Sequence, residues 1–166
     1  MRTFASGSVR TGVLGLGLAV AVGTAGLSSP APVAEPPAYR LTISDLMTAV
    51  IQPRHIKLWL AGQAADWAYA EYETGNLGGA FGRLAEAVPT YRDLATADML
   101  SAFTKPQLAA LESAVKAKDQ RAFVSAYEGL TLGCNQCHEA TGHPTVVIQT
   151  PGSSSFPDQV FAPAPK

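Results

Sequence analysis

Cysteine is scarce in this chain, with two in 166 residues. A closely spaced pair therefore does not come from a cysteine-rich background that produces such matches by accident. Charge is sparse as well: 12 Lys and Arg stand against 13 Asp and Glu, for a formal net charge of −1. That balance leaves no basic excess for nucleic acid. There is no glycine-rich phosphate loop and no internal repeat. Glu71 and Glu73 fall on different faces of a helix, so they offer no paired carboxylates for acid–base work. No βαβ pattern surrounds the cysteines, which removes the usual setting of a dithiol redox site.

Long hydrophobic runs are missing too. The apolar stretch from Val13 to Val22 is too short to span a bilayer comfortably, and the Pro/Ala-rich segment after it has no basic stop-transfer flank. Arg2 and Arg10 precede that stretch and Gly23-Thr24-Ala25 follows it, which is the order of a secretory signal peptide over residues 1–25. A retained N-terminal anchor is the alternative. No cysteine follows the apolar run, which argues against lipid attachment. Residues 26–41 read as an extended linker.

What is present is Cys134-Asn135-Gln136-Cys137-His138. C-x-x-C-H is a c-type haem attachment pattern. Two thiols three residues apart on a helix can add to the two vinyl groups of one porphyrin. The histidine after the second thiol then reaches the iron from the same side. Zinc held by Cys134, Cys137, His138 and His143 has suitable ligand types, but adjacent Cys137 and His138 fit a tetrahedron poorly. A disulfide closing so small a loop inside a helix is strained. Export agrees with haem attachment, since the thiols must meet haem outside the reducing cytoplasm. The expected location is periplasmic or otherwise exported.

The rest of the chain reads as helices, giving an all-α fold. Thr42 and Asp45 have capping-box spacing, and Ile43, Leu46, Met47, Val50 and Ile51 then share an apolar face. Pro53 is expected to kink or interrupt that helix. A long helix follows from Ile56 to Glu73, with His55, Leu58, Gly62, Ala65, Tyr69 and Tyr72 on one stripe. Gly75-Asn76 is expected to end it and Leu77 to about Val88 to form the next helix, closed by Pro89. Residues 90–103 are a connection with a short helix near Asp98-Met99-Leu100. Thr104 to Gln107 repeats the capping-box spacing and opens a helix to about Lys118. Asp119 caps the last helix, where Phe123, Tyr127, Leu130, Cys134 and Cys137 line one face. Gly142 and Pro144 close it.

Four helices with short joints argue for an antiparallel four-helix bundle over residues 42–142, followed by an irregular tail over 143–166. This order, with one C-x-x-C-H on the final helix, resembles the class II cytochromes c, the group of cytochrome c′ and the cytochromes c-556. Pro53, a short second helix and an apolar tail mark a divergent subfamily. The resemblance implies one covalent haem c inside the bundle, with Cys134 and Cys137 as thioether residues and His138 as proximal ligand. It implies electron transfer with a redox partner protein rather than enzymatic turnover. A five-coordinate binder of NO or CO, or a haem subunit of a larger oxidoreductase, is the alternative.

In low-spin members of that family a methionine early in the first helix fills the sixth position, and Met47 matches it. Ordinary core filling is the competing role for Met47. His55 is the alternative distal ligand, or a solvated residue near a helix start. His143 is too close along the chain to His138 to reach the other haem face, and is expected in solvent or near a propionate. Arg54 and Lys57 are candidate propionate partners or simply a solvated basic face. Trp59, Trp67, Tyr69 and Tyr72 are assigned packing and no chemistry.

Overall fold

The computed structural model describes residues 39–163. The expected signal peptide and most of the linker lie outside the described residues. The described part is all-α apart from one two-residue hairpin. No helix in it is long and apolar enough to cross a membrane.

Helix α1 is continuous through an α-helical turn, Ile43–Asp45, a π-helical stretch, Leu46–Ile51, and an α-helical stretch, Gln52–Gln63. Its start is the expected capping box: Asp45 N–H donates to Thr42 Oγ1 while Thr42 N–H donates to the Asp45 carboxylate. Pro53 neither stops the helix nor forces a restart. The wider turn before it, in which Gln52 N–H donates to Met47 O, accommodates a ring that would clash in a regular helix. Arg54 Nη1 donates to Val50 O at 2.6 Å, within the turn that contains Pro53.

The helix boundary after α1 falls at Ala64–Asp66, about ten residues before the predicted one. Ala65 adopts a left-handed φ of 54°. Asp66 N–H donates to Ala61 O, and Ala65 N–H to Gly62 O, which is the Schellman pattern with alanine in the glycine place. Asp66 Oδ1 then caps helix α2, Trp67–Ala87, by accepting from Tyr69 N–H. Gly75-Asn76, the predicted terminator, lies inside α2. Ala65 and Tyr72 accordingly face solvent, while Ala70, Thr74, Leu77, Phe81 and Leu84 turn inward.

Strands β1, Thr90–Tyr91, and β2, Leu94–Ala95, pair antiparallel around Arg92 and Asp93, both at positive φ. Two such residues make the tight turn a two-residue hairpin needs. Helix α3, Thr96–Phe103, contains the short helix expected near Met99. Helix α4, Lys105–Ala117, starts at Thr104 without the predicted capping box, because the Thr104 hydroxyl donates back to Leu100 O at 2.7 Å. Helix α5, Gln120–Ala140, is capped as expected, with Asp119 Oδ1 accepting from Arg121 and Ala122 N–H.

α1 packs on α2, α2 on α4, α4 on α5 and α5 on α1, with α3 set against α2, α4 and α5. Leu58, Leu77, Leu84, Leu111, Phe123, Tyr127 and Leu130 fill the middle and are sealed from solvent. One close approach places the cysteines. A Cβ on Gly133 would collide with the carbonyl oxygen of Phe103, so glycine lets the end of α3 nest on α5 one residue before Cys134.

Candidate functional site

The C-x-x-C-H residues open onto a cleft of about 280 Å³. α5 contributes Cys134, Cys137, His138 and Thr141 to its wall, and α1 contributes Ile43, Met47, Ile51 and His55. Phe81 and Leu84 of α2, Thr96, Met99 and Leu100 of α3, Tyr91 of the hairpin and His143, Val146 and Ile148 of the tail also line it, with Ser44, Thr48, Gln52 and Thr104 among its polar members. The lining is predominantly apolar, as cofactor sites are.

Both cysteines are free. Burial pushes the Cys134 thiol up to about 12, helped by the neighbouring Cys137, and burial raises Cys137 too. Protonated thiols in an apolar wall are slow exchange nucleophiles. Among the described residues no group of three or more His, Cys, Asp or Glu is placed to hold a metal ion.

His138 Nδ1 lies 2.7 Å from Val146 O. A carbonyl oxygen only accepts, so the Nδ1 proton is donated there and the neutral ring keeps its lone pair on Nε2. That is the arrangement of a metal-ligating histidine whose other nitrogen is held by the backbone.

His55 is deeply buried and both of its ring nitrogens are engaged. Thr131 Oγ1 donates to Tyr127 O at 3.0 Å, so it accepts from His55 Nε2–H, also at 3.0 Å. The Tyr127 hydroxyl lies 2.8 Å from both His55 Nδ1 and His55 O and shares its proton between them. Burial keeps the phenol protonated, well above its ordinary range. This network leaves His55 no free lone pair to offer, and excludes the solvated role. Met47, half-buried on the same wall, has a sulfur with no such commitment.

Burial lowers the His55 pKa from 6.5 to about 4. The unfolded chain takes up a proton on this ring near pH 6.5 while the folded one stays neutral down to about 4. Below pH 6.5 the unfolded state therefore binds more protons, and stability falls as pH drops through that window, by on the order of 3 kcal/mol. Urea midpoints at pH 7 and 4.5 should show it, and His55→Gln should flatten the difference. An equal acid loss in that variant would refute the assignment.

The other predicted residues are distributed differently. Arg54 and Lys57 do not line the cleft, and Lys57 Nζ sits 4.6 Å over the Phe156 ring. Trp59 packs on Tyr127 at 4.8 Å and Trp67 meets Phe123 edge-on, both away from the cleft. Tyr69 and Tyr72 stack on each other at 6.0 Å. His143 is at the cleft wall, hydrogen-bonded through Nε2 to the Tyr91 hydroxyl at 2.6 Å.

Sequence reasoning missed three residues. Asn135 occupies a motif position that the pattern leaves blank, and its amide holds the tail. Tyr91 has no signal of its own because its hairpin lacks the usual Asn-Gly. Thr96 lines the cleft with a buried hydroxyl that has no hydrogen-bond partner. An orphaned donor in an apolar wall is costly unless a bound group satisfies it. Two thiols, an imidazole with Nε2 free, an uncommitted thioether and an unsatisfied hydroxyl around one apolar cleft fit a haem with its carboxylate substituents. No protein-family model, curated protein or solved structure matches this chain.

Proposed function

We propose that the chain is an exported monohaem c-type cytochrome that carries electrons, a divergent relative of the class II cytochromes c built on a four-helix bundle. The ring of contacts α1–α2–α4–α5 supports the bundle, with α3 as an added cover over the cleft. One observation carries the function: both thiols and the imidazole of a single C-x-x-C-H face one apolar cleft that also contains Met47.

The bound haem would supply a one-electron ferric/ferrous couple. Cys134 and Cys137 would hold it to α5 through two thioethers, and His138 Nε2 would ligate the iron from the same helix. Met47 on α1 would offer a soft sulfur as a second ligand, which would favour the reduced state and raise the potential. With both ligands carried by helices, little would rearrange when the charge changes. Phe81, Leu84, Met99 and Leu100 keep water from the cleft. The Thr96 hydroxyl would be free to donate to a carboxylate substituent. A redox partner protein delivers and collects the electron.

The mass of the purified chain should exceed that of the polypeptide by one haem, and its ferric spectrum should be low-spin. Met47→Ala should convert that spectrum to high-spin and open the site to CO. A wild-type protein already high-spin and CO-binding would instead make it a five-coordinate gas binder, a role that the apolar cleft also suits. A purified protein without added mass would end both readings.

A further inference from the structure

We propose that residues 143–148 form a strap which Asn135 docks on α5, and that this docking sets the donor strength of His138. Asn135 is thus a positioning residue for the iron ligand and for the reduction potential. The inference rests on the cytochrome reading above and adds to it a part that lies outside the attachment chemistry.

Asn135 clasps one residue of the tail at both of its backbone groups. Its Nδ2 donates to Ile148 O at 2.9 Å, and its Oδ1 accepts from Ile148 N–H at 2.7 Å. The other end of the strap is tied to the close of α5, where His143 N–H donates to His138 O at 2.7 Å. Val146 N–H donates to His143 O at 3.0 Å and lies between these two anchors. Its carbonyl is thereby delivered to His138 Nδ1 at 2.7 Å.

The sequence order explains why this residue is suited to the task. Asn135 precedes His138 by three positions, so the two side chains are neighbours on the helix surface. The amide presents a donor and an acceptor side by side, as an adjacent strand would; the other amide of the motif, Gln136, is exposed and makes no bond to the strap. An Nδ1–H held by a carbonyl makes Nε2 more basic, and a stronger imidazole donor favours the ferric over the ferrous state. Releasing the strap should therefore raise the midpoint potential.

The test compares full-length haem-loaded protein with Asn135→Leu and Ile148→Pro, the latter removing the clasped N–H from the tail side. Each should shift the ferric/ferrous ratio at a fixed potential towards ferrous by up to about tenfold, equivalent to about 59 mV for one electron. The double variant should add little, because both changes break one link. Amide exchange at Ile148 should accelerate in Asn135→Leu, a readout that needs no redox activity. Unchanged potentials in both variants with haem attached, or unchanged exchange, would overturn the inference alone. A wild-type chain without covalent haem would overturn the reading beneath it.

Discussion

Replacing Cys134 and Cys137 together by alanine should leave no haem on the denatured protein. Either single replacement should keep it, through the one remaining thioether, with a shifted absorption band. Neither thiol has a partner, so the loss should not come from unfolding: far-ultraviolet circular dichroism of the double variant is expected to match that of the parent. The measurement is haem staining and mass after denaturation, in cells able to mature such cytochromes. Covalent haem persisting in the double variant would remove the motif as the attachment site, and with it the electron-transfer proposal.

The largest stability effect should come from a residue with no side chain. Gly133→Val drives a branched side chain into the Phe103 carbonyl, and that backbone oxygen is fixed by the end of α3. Overpacking against a rigid partner costs about 1–3 kcal/mol or more, a large share of the roughly 5–15 kcal/mol that holds a domain folded. Gly129 is a matched control on the same helix. A Cβ there meets only the Gln107 side chain at 3.8 Å, so Gly129→Ala should be neutral or stabilise by roughly 0.5–1 kcal/mol. Urea denaturation of the two variants decides it, and similar midpoints would show that the α3–α5 contact is not tight.

The helix starts were the most legible part of the sequence, because Thr42 and Asp119 act through short-range hydrogen bonds that their side chains announce. The helix ends were much less so. α1, α4 and α5 all finish in the same Schellman geometry, at Ala65, Lys118 and Gly142, yet only the last carries the residue that signals it. Where alanine or lysine takes the left-handed position, tertiary contacts outweigh local preference and a sequence rule sees nothing. Gly75-Asn76, which carries a terminator's residues, is instead helical, with Gly75 exposed and Asn76 half-buried. The hairpin at Arg92-Asp93 was hidden for the same reason.

At the site, the grouping of Cys134, Cys137 and His138 on one face of the last helix was readable because it is local to five residues. The fate of His55 was not, since Thr131 and Tyr127 lie 76 and 72 residues away in sequence. Those two partners decide whether the imidazole is a ligand or a buried neutral strut. Thr104 shows the opposite error: the spacing to Gln107 was correct for a box, but a bond to Leu100 in the preceding helix took the hydroxyl first.

The π-helical stretch in α1 has a consequence for how this wall of the cleft can change. Each such bulge stores one surplus residue, and Met47 lies inside it, on a wider turn than the one that carries His55 and Leu58. Losing a single residue between Thr48 and Ile51 would close the stretch to a regular helix and press the Pro53 ring against the carbonyl four residues back, the clash that the wide turn now avoids. A one-codon deletion here would therefore cost stability first, and this wall of the cleft can be shortened only together with a replacement of the proline.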